Sequence, residues 1–257
     1  MREQRTSAPS MADAADSPAF RLINAKGRAN LLLVCDHASN RLPAGYDALG
    51  LDPADLWRHI AYDIGAADVT ERLARLLDAP AILSSFSRLL IDCNRAPEDP
   101  TLICDASDGT VVPNNRGIDA RERRRRLRLY FEPYHQAIAR RLAAFGPRAK
   151  VFFAAVHSFT PVLKGKVRPW HVGILWNRDP RLAKPLLAGL RRDPNIKVGD
   201  NEPYDGRGNV GYTMRRHAEP AKWPHALIEI RQDLIDTHHG AEEWAKRIAA
   251  ALEFALA

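Results

Sequence analysis

Two stretches of this chain are apolar at consecutive positions, and each runs into a histidine. Leu31-Leu32-Leu33-Val34-Cys35 passes through Asp36 to His37, and Val151-Phe152-Phe153-Ala154-Ala155-Val156 passes directly to His157. A strand with one wet face alternates apolar and polar residues, so runs that are apolar throughout belong to strands covered on both faces. They predict a sheet with helices above and below it. In open sheets of this kind ligands bind beyond the carboxyl ends of the strands, where both histidines fall.

The remaining periodicities agree. Residues 81–84, 89–92, 171–176, 196–198 and 226–230 read as further strands. Helices are expected over 53–58, from about Asp63 with Ala66, Val69, Leu73, Leu76 and Leu77 on one face, over 180–191, and at the C-terminus with Trp244, Ile248, Ala251, Leu252 and Ala255 aligned. Asp78-Ala79-Pro80 ends the second of these, because proline restricts the residue before it. Strands alternating with helices predict the α/β class with a mostly parallel sheet. Residues 96–118 and 200–211, rich in turn-forming residues, read as long loops, and loops of such length often serve function.

A chain of 257 residues, 46% hydrophobic and 27% charged, is long enough for one large domain, expected over 20–257. Residues 1–19 are polar, show no periodicity and are expected to be disordered. No apolar run approaches the roughly 20 residues of a membrane span. The first residues also lack the apolar core of a signal peptide, so a cytoplasmic protein is expected. The cysteines, Cys35, Cys93 and Cys104, are odd in number and show no metal-ligand spacing, so they read as small buried hydrophobes.

The net charge of +7 owes much to Arg121-Glu122-Arg123-Arg124-Arg125-Arg126-Leu127-Arg128. Leu127, Phe131, Tyr134, Ile138, Leu142 and Phe145 follow at helical spacing, which makes the arginines the solvated start and outer face of an amphipathic helix. The alternative use of such a cluster is to bind nucleic acid through phosphates.

Three apolar strands thus deliver titratable residues: His37, His157, and Glu229 between Ile228 and Ile230. A buried carboxylate needs a partner or a task. For Glu229 the structural alternative is an ion pair with Arg231, two residues on and on the same strand face. Two histidines, a carboxylate and an open position describe a catalytic zinc site, in which a further carboxylate serves as general base. Asp63 is the first candidate for the third ligand, its alternative role being a helix N-cap. Asp36 and Asn40 are the others, and Asp36 could instead orient a histidine by accepting from its ring N–H. Arg88, Asp92, Asn94 and Arg95 surround another apolar segment. Arg88 or Arg95 could hold a substrate carboxylate or steady an oxyanion, or Arg95 could simply pair with Asp92.

These residues fall into six ordered motifs: Cys35-Asp36-His37-Ala38-Ser39-Asn40, His59-Ile60-Ala61-Tyr62-Asp63-Ile64-Gly65-Ala66, Ser87-Arg88-Leu89-Leu90-Ile91-Asp92-Cys93-Asn94-Arg95, His157-Ser158-Phe159-Thr160-Pro161, Gly211-Tyr212-Thr213, and Ile228-Glu229-Ile230-Arg231-Gln232-Asp233-Leu234. Over about residues 28–252 the chain resembles the N-formylglutamate amidohydrolase family, which is similar in turn to zinc carboxypeptidases and aspartoacylases. The resemblance implies a phosphorylase/hydrolase-like three-layer α/β sandwich around a mixed, mostly parallel sheet. Asp92-x-Asn94-Arg95 resembles the substrate-binding motif of the aspartoacylases. The wider group commonly uses His-x-x-Glu for its first ligand pair, whereas Asn40 stands at the fourth position here, which shifts the third ligand towards Asp63.

The expectation is therefore a zinc-dependent amidohydrolase, with one Zn2+ per chain, acting on a small N-acylated acidic amino acid such as N-formylglutamate. His37, Asp63 and His157 would hold the metal, Glu229 would move the proton, and Arg88 would steady the oxyanion. Asn94 and Arg95 would grip a substrate carboxylate, with Arg231 as a second grip. The rival activities are a metallocarboxypeptidase-like peptidase and, from a different class, a nucleic-acid-binding protein using the arginine-rich helix. A serine hydrolase is disfavoured by the absence of GxSxG.

Overall fold

The computed structural model describes residues 18–146, 150–207 and 211–257. The expected disorder of 1–19 falls almost wholly outside the described residues. In chain order the strands are β1 (Phe20–Ile23), β2 (Leu31–Cys35), β3 (Ala81–Ser84), the ribbon β4 (Ala106–Ser107) with β5 (Thr110–Val111), β6 (Phe152–Phe159), the ribbon β7 (Val162–Leu163) with β8 (Lys166–Val167), β9 (Val172–Leu175), β10 (Val198–Asp200) and β11 (His225–Arg231). The helices are α1 (Ala66–Leu76), α2 (Ala120–Arg126), α3 (Glu132–Ala143), α4 (Ala183–Leu190), α5 (Tyr212–His217) and α6 (His238–Leu256).

Seven strands form one sheet in the order β1-β3-β2-β6-β11-β9-β10. The four central strands β3, β2, β6 and β11 run parallel, while β1 against β3 and β9 against β11 are antiparallel. The sheet is thus mixed and mostly parallel, as the apolar runs require. β2, β3 and β9 are buried at every position. Alternate side chains of β2 serve opposite cores. Leu31, Leu33 and Cys35 pack with α1, α4 and α6 on one face, and Leu32 and Val34 pack with α3 and α5 on the other. β1 is a half-exposed edge strand with no apolar run to announce it.

A third core lies under the loops, apart from the sheet. Leu89, Leu90 and Ile91 belong to it, together with Leu49, Ile60, Leu102, Tyr130 and Phe131. This overturns the expected strand over 89–92: the segment is a buried turn. Its carbonyls are satisfied by side chains rather than a ladder, Leu89 O by Asn115 Nδ2 at 2.8 Å and Leu90 O by Arg126 Nη1 at 3.0 Å. Buried backbone groups must find partners, and side-chain partners leave no signal in local periodicity.

The arginine-rich helix also departs from expectation. α2 and α3 are joined by a π-helical turn, Leu127–Phe131. One extra residue advances the inward face by about 100°. Arg126 and Tyr130 therefore face the loop core, while Tyr134, Ile138 and Leu142 beyond the turn face the sheet. The arginines are not a uniformly solvated face. Arg126 is only 2% exposed and binds Leu90 O, Asn115 Oδ1 at 2.7 Å and Glu122 Oε1 at 2.9 Å. Arg125 reaches the Tyr46 hydroxyl at 2.5 Å and Arg123 the Pro97 carbonyl, which leaves Arg121, Arg124 and Arg128 exposed.

Two other boundaries move. His157 lies within β6, two residues before its end, and the late strand near 196–198 is β10 at Val198–Asp200. Arg126→Ala should lower stability in urea by about 3 kcal/mol, because it orphans buried acceptors and Glu122. Arg124→Ala should leave the urea midpoint unchanged; equal effects from both would contradict the buried placement of Arg126.

Candidate active site

The site is assembled at the carboxyl ends of β2, β6 and β11, which are neighbours in the sheet. Beyond β2 the chain turns through Asp36 and His37. That turn is pinned from β3: Ser84 Oγ donates to Asp36 O at 2.6 Å and accepts from Ala38 N at 3.3 Å. Asp63 arrives by a backbone bond from its N–H to His37 O at 2.9 Å. It is not a helix cap. α1 starts at Ala66 after Gly65, which has φ +78° and packs so closely on Ile235 that a Cβ would strike the Ile235 carbonyl oxygen. That tight turn frees the Asp63 side chain for the histidines.

His37 Nδ1 lies 3.3 Å and His157 Nδ1 2.7 Å from the same oxygen, Asp63 Oδ2. The rings meet edge to face with centroids 4.9 Å apart. The outer nitrogens are also engaged: His37 Nε2 with Asp92 Oδ1 at 2.7 Å, and His157 Nε2 with Asp36 Oδ2 at 3.0 Å. Asp36 in turn accepts from Tyr134 OH at 2.8 Å and Thr213 Oγ1 at 2.6 Å. All five ionisable groups are buried.

The electrostatics follow from this crowding. Burial opposes ionisation of Asp63 and Asp92, but the imidazoles outweigh it at Asp63, and Arg88 with His37 outweighs it at Asp92; both carboxyls are held below the usual range. Burial likewise opposes charging His157, yet its bonds to Asp36 and Asp63 raise its pKa well above the ordinary value.

Two imidazole nitrogens aimed at one carboxylate oxygen require either protons or a cation among them. His37, Asp63 and His157 offer three ligand atoms within 4.8 Å of one another. Three protein donors are the number that catalytic zinc sites use. The Asp92 and Asp36 bonds are the kind that orient metal-binding histidines and raise their basicity. The residues present therefore fit a divalent metal. Asn40 is half-buried, and its neutral amide is a poorer zinc ligand than the Asp63 carboxylate.

Glu229 is paired in register with His157 across β6 and β11. It is 6% exposed, and its Oε2 has no hydrogen-bond partner among the described residues. Burial pushes its carboxyl up to about 7; the neighbouring histidines and Arg88 pull the other way, and Asp63 adds to the push. The ion pair with Arg231 is not formed: Arg231 Nε donates to Asp233 Oδ1 at 2.8 Å. On its other side Glu229 is paired with Gly173 of β9. A Cβ on Gly173 would run into the Glu202 carbonyl oxygen, so glycine lets the loop that carries Tyr204 settle there.

A cleft of about 350 Å³ opens beside the triad, lined by His59, Arg88, Asp92, Arg95, Lys164 and Tyr204 among others. Arg88 binds Asp92 Oδ2 through Nε at 3.2 Å and Nη2 at 2.8 Å, while its Nη1 makes only a 3.5 Å contact with Asp63. Arg95 shares Asp92 at 3.4 Å and Asp99 at 3.6 Å. Asn94 is turned towards α5, its Oδ1 accepting from Thr213 N at 3.1 Å. Sequence reasoning missed Thr213 and Tyr134 as supports of Asp36, and Asp92 as the partner of His37. Asp92 stood in a recognised motif but with a different expected role.

A family model described as N-formylglutamate amidohydrolase matches residues 29–236. An N-formylglutamate deformylase of Pseudomonas putida is 27% identical over 231 residues, 80% of this chain and 82% of its own length. That of Pseudomonas aeruginosa is 25% identical with the same coverage. Among solved structures, a gene product of Agrobacterium tumefaciens is 35% identical with a TM-score of 0.90, covering 94% of this chain and 96% of its own. An N-formylglutamate amidohydrolase from Ralstonia eutropha, 20% identical, shares the fold with a TM-score of 0.73 over 93% of this chain and 98% of its own. A matched segment that holds all three triad residues and Glu229 leads to one conclusion: the chain belongs to the N-formylglutamate amidohydrolase family, hydrolases of a linear amide bond.

Proposed function

We propose that this protein removes the N-acyl group, formyl in the first instance, from a small acidic amino acid such as N-formylglutamate, using one zinc ion. The observation that carries the reading is the convergence of His37, Asp63 and His157 on one point, with a carboxylate behind each imidazole and the partnerless Glu229 alongside. The names of the Pseudomonas relatives support the substrate. Helices on both faces of the sheet support a phosphorylase/hydrolase-like three-layer sandwich, and we read residues 20–257 as one domain.

In this reading His37 Nδ1, His157 Nδ1 and an Asp63 oxygen hold the metal. When bound, a divalent cation supplies Lewis acidity towards the scissile carbonyl and makes nearby water easier to deprotonate. Asp92 and Asp36 keep the two imidazoles in the tautomer with the proton on Nε2, so that Nδ1 presents its lone pair. Glu229, whose proton affinity burial brings near neutrality, takes the proton of the attacking water at Oε2 and passes it to the departing nitrogen. Arg88 is anchored by Asp92 through two of its nitrogens and so presents Nη1 to the negative charge that develops on the carbonyl oxygen. Arg95, at the cleft lining, takes a substrate carboxylate in exchange for its long contacts with Asp92 and Asp99. Asn94 supports that segment from α5, and Arg231 could join only by giving up Asp233. The products are the free amino acid and formate.

Metal analysis of the purified protein should return close to one zinc per chain. His157→Ala and Asp63→Ala should each lose most of it, and Asn40→Ala should retain it. A folded His37→Ala/His157→Ala double variant that keeps stoichiometric zinc would overturn the ligand assignment.

Glu229→Gln separates metal binding from chemistry. Zinc content and melting temperature should stay near wild type while turnover falls by roughly 10² to 10⁴-fold, the usual contribution of a positioned acid–base group. The loss should appear in kcat more than in KM, since the interaction belongs to the transition state. Loss of zinc in this variant would make Glu229 a ligand instead.

A further inference from the structure

The cleft beside the triad carries positive charge from two directions, and only one of them is neutralised. Arg88 and Arg95, on the segment after β3, share Asp92. Across the cleft, the segment after β6 brings Lys164 to the lining and places Arg168 behind it, bonded to the lining residue Tyr204. Lys164 sits at the tip of the β7–β8 ribbon, where the turn residues Lys164 and Gly165 both have positive φ, and it lines the cleft.

Arg168 is the more constrained of the two. It is 7% exposed. Its Nε donates to the Thr160 carbonyl at 2.7 Å, its Nη1 to the Tyr204 hydroxyl at 2.8 Å, and its Nη2 to the Thr160 hydroxyl. Its Cζ lies 5.0 Å from the Phe159 ring centroid and 5.3 Å from that of Tyr204. Every one of these partners is neutral. Among the described residues neither Arg168 nor Lys164 has a carboxylate partner. A guanidinium has five N–H donors, so the three bonds leave two unassigned.

A buried cation without an anion is costly, and stacking on aromatic rings offsets only part of that cost. The chain nonetheless builds a rigid seat for it: two bonds to Thr160, two rings, and a tyrosine that itself lines the cleft. Arg168 also acts on the cleft electrostatically. Burial lowers the pKa of the lining His59 imidazole; Asp108 pulls it up, and the charges of Arg58, Arg168 and Arg88 add to the lowering. The unbalanced charge on this side is that of Arg168 and Lys164. A planar guanidinium fork matches a carboxylate in shape and charge.

We propose that Arg168, presented with Tyr204 and assisted by Lys164, is the second anion-recognition pole of the cleft and takes the side-chain carboxylate of an N-acyl dicarboxylic amino acid, while Arg95 takes its α-carboxylate. The identity of the ligand rests on the amidohydrolase reading; the need for an anion at Arg168 does not. Selectivity for an acidic over an amide side chain then resides on the segment between β6 and β9, outside the catalytic groups.

The test compares N-formylglutamate with N-formylglutamine, which has the same shape and lacks the side-chain charge, in wild type, Arg168→Met and Lys164→Ala. Titration calorimetry with glutarate gives a readout independent of turnover. Wild type should prefer N-formylglutamate in kcat/KM. Arg168→Met should reduce that preference by about 100-fold and Lys164→Ala by about tenfold, the scale of one or two charge-assisted hydrogen bonds, with N-formylglutamine turnover nearly unchanged. Both variants should weaken glutarate binding. Equal losses on both substrates, or an unchanged preference, would overturn the proposal. Lys164→Ala is a surface change, so it decides the matter if Arg168→Met does not fold. If wild type hydrolyses no N-formyl amino acid, the amidohydrolase reading fails separately. Glutarate binding that weakens in Lys164→Ala would then still support the pole, and no glutarate binding by wild type would overturn it.

Discussion

A single carboxylate oxygen, Asp63 Oδ2, receives both histidines, and the rest of the molecule is arranged so that it can. The two imidazoles come from positions 26 and 94 residues away in the chain. They can meet there because β2 and β6 are adjacent and parallel, so that both deliver their carboxyl ends to the same edge. The Gly65 turn keeps Asp63 out of α1, and the bond from Asp63 N to His37 O fixes its approach. Placing this many charges in a protein interior is unfavourable unless each is matched. The matching is extensive: Asp92 behind His37, Asp36 behind His157, Arg88 against Asp92, and the hydroxyls of Tyr134 and Thr213 on the remaining oxygen of Asp36.

The support for that cluster reaches both helical layers. Tyr134 belongs to α3, and its phase is set by the π-helical turn at Leu127–Phe131. Thr213 opens α5 and also holds Asn94 through its backbone N–H. The segment bearing Arg88, Asp92 and Arg95 packs on the loop core rather than on the sheet, and Arg126 ties it to α2. The arginine-rich run, which composition alone would assign to solvent or nucleic acid, thus contributes one member to the architecture of the cleft wall.

What the chain revealed before folding divides along one line. Features set by local patterning were legible: the apolar runs gave buried strands, and the residues at their ends, His37, His157 and Glu229, do lie together. For Asp63 the sequence left two roles, a metal ligand or a helix cap, and the side chain lies against both histidines rather than at the start of α1. Features set by partners far away in sequence were not. Leu89-Leu90-Ile91 has the composition of a strand, and only Asn115 and Arg126 decide that it is a turn. Arg126 sits among arginines of like appearance, and its burial depends on an extra residue in the helix that no propensity specifies. Arg231 lay on the right face for Glu229, but it pairs instead with the exposed Asp233. Arg168 gave no signal in the sequence, since only the fold shows that its partners among the described residues, Thr160, Tyr204 and Phe159, are all neutral.

Glu229 and Arg168 share that character, and this separates them from the matched cluster. Among the described residues, one is a buried acid whose Oε2 has no donor and the other a buried base with no carboxylate partner. Each is expensive to a protein that must only fold, because an unmatched polar group in the interior loses its hydration without recompense. They are not placed to neutralise each other. Arg168 bonds to Tyr204 and Thr160 and does not bond to Glu229, although Tyr204 is close enough to feel the charge of Glu229. Pairing them would match both charges within the protein. Kept apart, Glu229 retains a proton affinity close to neutrality beside the triad, and Arg168 retains two donors that its three bonds do not use. In the reading proposed above, an anion and a reacting amide in the cleft would complete the two groups that the fold leaves unmatched.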